Sequence, residues 1–187
     1  MKGGLMEKSL KFIFLVSGFF VACLFVSHLT TAKFRKLEQV NNLYTKEVAT
    51  VKTRERQLQC LAINIYREAG YEPFEGKVGV AQVTLNRAYS GQFPNDICQV
   101  VYQKNVVMEK VVCQFSWACD RVHQSRPINQ HAYAESYEVA KKVLLEGFRL
   151  PSLREAMYYH AVYVNPRWQL EKITKIGNHI FYKAKGV

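Results

Sequence analysis

At 187 residues, with 49% hydrophobic and 13% aromatic positions, the chain has room for one modest core plus appendages and is too apolar to be a disordered polymer. Its net charge of +11 implies an anionic partner. Nucleic acid is not indicated, because the sequence has no RNP-like run, helix-turn-helix signature or Cys/His zinc pattern; an anionic cell wall or inner-membrane surface is the simpler target.

In chain order, Lys2, Lys8 and Lys11 precede "FIFLVSGFFVACLFVSHL", residues 12–29, of which 14 of 18 are apolar and none carries a formal charge. That pattern predicts an N-terminal signal-anchor or transmembrane segment over residues 1–32, retained as an inner-membrane anchor, since Thr30-Thr31-Ala32 is a poor signal-peptidase site. Residues 33–56 carry apolar side chains at 34, 37, 40, 44, 48 and 51, a three-and-four spacing that predicts an amphipathic stalk or linker helix. A catalytic domain is expected over 57–187. It opens with a short helix from Cys60 that Gly70 and Pro73 end, putting Glu68 in the last turn.

Next, "KVGVAQVTLNRAYSG" is apolar nearly all round, the pattern of a helix buried through a domain, with Asn86 and Arg87 emerging at its end. A short helix capped by Asn95 or Asp96 follows, then a longer one over "NQHAYAESYEVAKKVLLEG". Alternation in "AMYYHAVYV" and "IGNHIFYK" predicts two short strands near the C-terminus. The fold class expected is therefore α+β, mainly helical, with a small C-terminal hairpin or sheet. Five cysteines, at 23, 60, 98, 113 and 119, suit an exported protein, and their pairing stays open.

Glu68, Glu72 and Glu75 fall within eight positions. A carboxylic acid that donates a proton near neutral pH needs an apolar setting, because desolvation disfavours its charged form. Glu68 has that setting, after Ile65 and Tyr66 and before a buried helix; Glu72 and Glu75 lie in a Pro/Gly turn.

The ordered blocks "LAINIYREAGYEPFEGKVGVAQVTLNR", "FPNDICQVVYQ", "CQFSWACD", "YYHAVYVNPRW" and "IGNHIFY" together resemble the SleB-like cell-wall hydrolases, a family of spore-cortex-lytic and phage endolysin type, across residues 57–183. The resemblance implies a small lysozyme-like domain that cuts peptidoglycan glycan strands between N-acetylmuramic acid and N-acetylglucosamine, with no metal or organic cofactor and with Glu68 as the acid. The family usually reads E-A-R-G-E where this chain has Glu68-Ala69-Gly70-Tyr71-Glu72, so a basic neighbour is missing.

Hydrolysis generally uses two carboxyl groups, and the second would come from Glu72, Glu75, Asp96 or Asp120. A lytic transglycosylase manages with one, and this is the favoured reaction; a muramidase is the alternative. Sugar rings bind aromatic faces, amides and hydroxyls, which nominates Gln114, Phe115, Ser116, Trp117, Tyr159, His160 and Tyr163, with Asn86 and His179 as weaker candidates. Core packing competes for Phe115 and Trp117. Scattered histidines without an H-E-x-x-H pair give no metal site.

Two further readings accompany this one. A membrane-tethered, catalytically silent wall-binding or lysis-accessory protein is the rival of a different class. Cys23 inside the apolar stretch and Cys60 near the acid also suit a signal-anchor-release endolysin, in which freed Cys23 exchanges with a disulfide near Cys60.

Overall fold

The computed structural model of the chain describes residues 3–184, without side-chain surroundings for residues 3–19, 21–23 and 32. The chain divides into two units between Val51 and Lys52. The first unit is helical, and from Phe34 to Val51 the apolar stripe of the expected stalk is exposed. Most of the anchor expected over residues 12–29 lies outside the described side chains. Among the described residues, no helix is long and apolar enough to cross a membrane.

Helix α1 spans Gly3–Ala69. The sequence pattern separates a linker helix from a short helix beginning at Cys60, yet the structure carries one helix through both, because no Gly or Pro occurs between residues 19 and 69. It stops where expected, at Gly70, whose amide bonds the Tyr66 carbonyl at 3.1 Å.

In the second unit the core forms around α2, Phe74–Tyr89, which is buried nearly all round as its sequence predicts. Leu58, Leu61, Ala62 and Ile65 of α1 share one cluster with Val78, Ala81 and Leu85 of α2, with α3 (Ile97–Val101) and with Val139, Ala140 and Val143 further along. Asp96 caps α3 by accepting from the Gln99 amide. The Cys60–Cys98 disulfide ties α1 to α3; closing that 38-residue separation stabilises the fold by about 4 kcal/mol on the chain-entropy model.

A hairpin follows that the sequence reading does not predict: β1, Lys104–Val107, against β2, Lys110–Cys113. Its two-residue turn, Met108-Glu109, holds both residues at positive φ (48° and 64°), a conformation usually marked by Asn-Gly, so the ordinary hairpin signal is absent. The Cys113–Cys119 disulfide closes the end of β2 onto a single 3-10 turn at Ser116–Ala118. Helices α4 (Arg121–Ser125) and α5 (Gln130–Leu144) come next, each with an N-cap side chain, Asp120 and Asn129.

The chain ends in an antiparallel sheet in the order β3-β5-β4: β3 is Ala156–Ala161, β4 Glu171–Ile176 and β5 His179–Lys183. Strand alternation sends Tyr159 and Phe181 to one face, and Tyr158, His160 and Tyr182 to the other. The first face packs on α2. Gly79 permits that approach, since a Cβ there would sit 2.5 Å from the Phe181 ring. The fold is mainly helical with two small sheets.

Candidate active site

The last turn of α1 presents Glu68 to the inner face of β3. The Tyr159 hydroxyl donates to Glu68 Oε2 at 3.0 Å. Glu68 keeps some accessible surface, but its carboxyl is closely surrounded, and this desolvation raises its pKa above the ordinary carboxylate range. The Tyr159 hydrogen bond, the Arg87 charge and the His123 charge pull the other way without cancelling it. Burial likewise pushes the Tyr159 hydroxyl well above its ordinary value, with the Glu68 charge adding to the shift, so it stays a neutral donor. A proton on Oε1 is compatible with Oε2 accepting from Tyr159.

Arg87, near the end of α2, is only 4% exposed. Its Nε donates to the Met157 carbonyl at 2.8 Å, and its guanidinium lies over the rings of Phe93, Phe115 and Tyr158 at 5.2–5.8 Å. In the amide orientation that satisfies both of its ends, the Gln114 oxygen accepts from both terminal nitrogens, at 3.1 and 3.3 Å. Arg87, Gln114, Tyr158, Tyr159 and Trp168 line a cleft of about 590 Å³. Glu68 reaches this cleft through Tyr159 rather than by lining its wall.

Of the residues nominated from sequence, the structure brings Glu68, Gln114 and Tyr159 together. Phe115 and Trp117 are 4% and 6% exposed and belong to the core, so their faces are not open to a sugar. The Trp117 indole N–H donates to Asn64 Oδ1 at 3.0 Å, a buried bond that fixes α1 against the 3-10 turn. Ser116 is exposed at the start of that turn. Asn86 spends its amide on the Leu153 and Ala156 carbonyls, at 3.0 and 2.8 Å, and so holds the entry to β3 rather than a ligand.

His160 lies on the outer face of the sheet, stacked on Tyr182 at 24° and held by the Tyr182 hydroxyl and the Ala161 carbonyl. His179 is 6% exposed and edge-on to Tyr159; burial lowers its pKa and favours the neutral ring. Tyr163, 87% exposed in the turn after β3, is not part of the cleft.

Three of the four carboxylates considered as a second catalytic group have other partners. Glu72 accepts from the amide and side chain of Asn178, both at 2.9 Å, which fastens the 70–73 turn to the β4–β5 turn. Asp96 caps α3 and pairs with Arg56 and Gln57. Asp120 caps α4 with one oxygen and holds His123 Nδ1 with the other. Glu75 sits exposed in the first turn of α2.

Among the described residues no cluster of His, Cys, Asp and Glu is placed to hold a metal ion. A larger hollow of about 900 Å³ lies between the Glu72–Lys77 stretch and α5; of the residues put forward from sequence it is lined by Glu72, and by neither Glu68 nor any of the sugar-binding candidates. Sequence reasoning left Arg87 and Trp168 unassigned. Their signals were an arginine closing an otherwise apolar helix and a tryptophan after a turn, neither of which carries a ligand on its face.

The segment 71–182 matches the family model described as Cell Wall Hydrolase, a match that begins three residues after Glu68. The chain is 30% identical over 137 residues to a spore cortex-lytic enzyme of Bacillus cereus, covering 69% of this chain and 45% of that protein. A spore cortex-lytic enzyme of Bacillus subtilis is 31% identical over 133 residues, covering 66% and 36%. The chain thus spans less than half the length of these curated relatives. Among solved structures, the catalytic domain of the Bacillus cereus SleB protein superposes with a TM-score of 0.51 at 28% identity, over 69% of this chain and 91% of that one. The catalytic domain of a germination-specific lytic transglycosylase, SleB from Bacillus anthracis, gives 0.50 at 29% identity, over 68% and 93%. With a matched segment exceeding half its length and the SleB catalytic fold built around it, this chain belongs to the Cell Wall Hydrolase family, in its SleB-like branch.

Proposed function

We propose that the chain is a lytic transglycosylase that cleaves peptidoglycan glycan strands between N-acetylmuramic acid and N-acetylglucosamine, with Glu68 as the single acid and base. The supporting observation is a desolvated, Tyr159-bonded carboxyl beside a cleft, while Glu72, Asp96 and Asp120 are committed to caps and turns. Glu68 Oε1 gives its proton to the glycosidic oxygen as the C1–O bond breaks. The muramyl C6 hydroxyl then closes on C1, and its proton returns to the Glu68 carboxylate, leaving a 1,6-anhydro ring. Water takes no part. A positively charged protein is drawn to anionic wall polymer, an attraction that salt weakens.

A muramidase would instead need a second carboxylate from among Glu72, Glu75, Asp96 and Asp120. Mass spectrometry of digested peptidoglycan decides: anhydro-muramic ends are expected, and reducing muramic ends would overturn the transglycosylase. Glu68→Gln should lower the rate at least ~100-fold, as loss of a general acid does. An unchanged rate would remove Glu68 from the chemistry and favour a lysis-accessory role.

The uncharged apolar stretch 12–29 further supports an inner-membrane tether with the domain facing the wall. In a signal-anchor-release arrangement, freed Cys23 would attack the Cys60–Cys98 bond beside α1's catalytic end. Cys23→Ser should then delay lysis; unaltered timing and disulfide pattern would dismiss the switch.

A further inference from the structure

Arg87 carries a charge where a charge is costly. Its side chain is 96% removed from solvent, and taking a guanidinium out of water costs several kcal/mol unless an anion or a full set of acceptors replaces the water. No carboxylate among the described residues forms an ion pair with it, and Glu68 is the carboxylate whose charge reaches it. Of its five N–H bonds, one goes to Met157 and two to the Gln114 oxygen, and the rings of Phe115 and Tyr158 cover its faces. Two N–H bonds remain, on a residue that lines the cleft.

When Glu68 is protonated, as the acid must be before it acts, Arg87 loses the one negative charge in its reach. The cleft wall then presents a desolvated cation with two further donors and no carboxylate counter-charge among the described residues. Trp168 stands in the same cleft, 42% exposed, in T-shaped contacts with the rings of Tyr158, His160 and Tyr182, and follows Arg167, whose φ is +52°. A non-glycine residue at positive φ is a conformation that the surrounding structure has to impose. The wall therefore offers a partly exposed aromatic ring, held by three others, for a sugar and, within the same 590 Å³, a fork for an acid borne by that sugar.

We propose that this cleft contains a carboxylate subsite, in which Arg87 binds the free 3-O-lactyl carboxylate of a muramyl residue whose ring lies along Trp168. The inference rests on the peptidoglycan reading above. Among the wall's acids the lactyl group is attached to the sugar ring itself, so a ring on Trp168 carries its own carboxylate towards Arg87. Binding completes the ion pair and relieves Glu68 of the Arg87 field, so that the substrate favours the protonated acid that will cut it. The preferred strands are those stripped of stem peptides. The reaction that supplies them is hydrolysis of the amide between the lactyl group and the peptide.

The test is binding of three muramyl oligosaccharides of equal length to the full chain, by calorimetry: one with free lactyl carboxylates, one with them converted to methylamides, and one bearing stem peptides. The free acid should bind about 10-fold or more tightly than the methylamide. Equal affinities overturn the subsite, whether or not either strand is cleaved; anhydro product formation is scored separately and tests the reaction alone. Peptide-bearing strands that bind as tightly as the free acid overturn the lactyl assignment, since they would place the anion in the peptide. In Arg87→Gln the discrimination should disappear, and a folded variant that keeps it overturns the role of Arg87. If Arg87→Gln does not fold, Arg87→Lys serves: it retains the charge without the fork and should discriminate less than the wild type, and undiminished discrimination overturns the bidentate site.

Discussion

Two aromatic-rich stretches, Gln114–Trp117 and Tyr158–His160, look equally suited to sugar, and the fold treats them differently. The first bends into a 3-10 turn between β2 and α4, which turns Phe115 and Trp117 into the core and leaves Gln114 at the cleft. The second is a strand, and its alternation puts Tyr159 against Glu68 while His160 joins Tyr182 on the opposite face. Residue type supplied the chemistry in both stretches. Backbone period decided which side chains could use it.

The core assignment of the first stretch makes the largest prediction. Trp117→Ala removes a 6%-exposed ring and strands Asn64 Oδ1, and should lower stability by about 3–5 kcal/mol in denaturant unfolding. Trp117→Phe keeps most of the ring and loses the indole donor, so about 1–3 kcal/mol is expected. If Trp117→Ala instead left stability intact and weakened only glycan binding, the tryptophan would belong to the cleft and the contrast would fail. On the other side of the comparison, Gly79→Ala pushes a methyl group into Phe181, beneath β3, and should cost about 1–3 kcal/mol. Because Phe181 packs on Tyr159, that substitution should also disturb the pH profile.

The legible parts of the molecule were those written in a regular period. The all-round apolar run of α2 announced a buried helix, Gly70 and Pro73 announced the end of α1, and alternation announced β3 and β5. Glu68 stood out in the sequence by its place between an apolar helix and the apolar run of α2, whereas the hydroxyl that bonds it, on Tyr159, lies 91 residues further along the chain. The hairpin β1–β2 was not legible, since Met108-Glu109 adopts positive φ without glycine or asparagine. Strand β4 was hidden by its charged sequence, "EKITKI", which is half exposed at the sheet edge. Asn86 was misread for a different reason: an amide at a helix end looks the same whether it serves a ligand or, as here, two backbone carbonyls 67 and 70 residues away.

Tyr159→Phe sharpens the inner-face half of the comparison. Desolvation raises the Glu68 pKa and the Tyr159 hydrogen bond partly opposes that, because a donor favours the carboxylate. On the proposed mechanism activity needs the protonated acid, so it should fall as pH rises through the folded-state pKa. Removing the hydroxyl should move that falling limb to higher pH. The rate below it should also drop, because Oε2 is no longer held. His160→Phe, on the outer face, should leave the limb in place. The same raised pKa has a stability consequence. A carboxyl that holds its proton more tightly when folded costs stability as pH rises from the unfolded-state value towards the folded one. Glu68→Gln should therefore melt higher than wild type at neutral pH and show little difference near pH 4; a variant melting lower at neutral pH would mean that the carboxylate is stabilised in the fold.

Tyr163 gives the smallest effect and the cleanest boundary. It continues the alternation of β3 and, by pattern alone, would extend the line of aromatic side chains begun by Tyr159. The strand ends at Ala161, however, and the turn that follows leaves Tyr163 87% exposed and outside the cleft. Tyr163→Ala should change stability by less than about 0.5 kcal/mol and leave the cleavage rate unaltered. A marked rise in the glycan concentration needed for half-maximal rate would show that strands run past the cleft and over this turn, which would extend the binding surface beyond the inner face that β3 alternation defines.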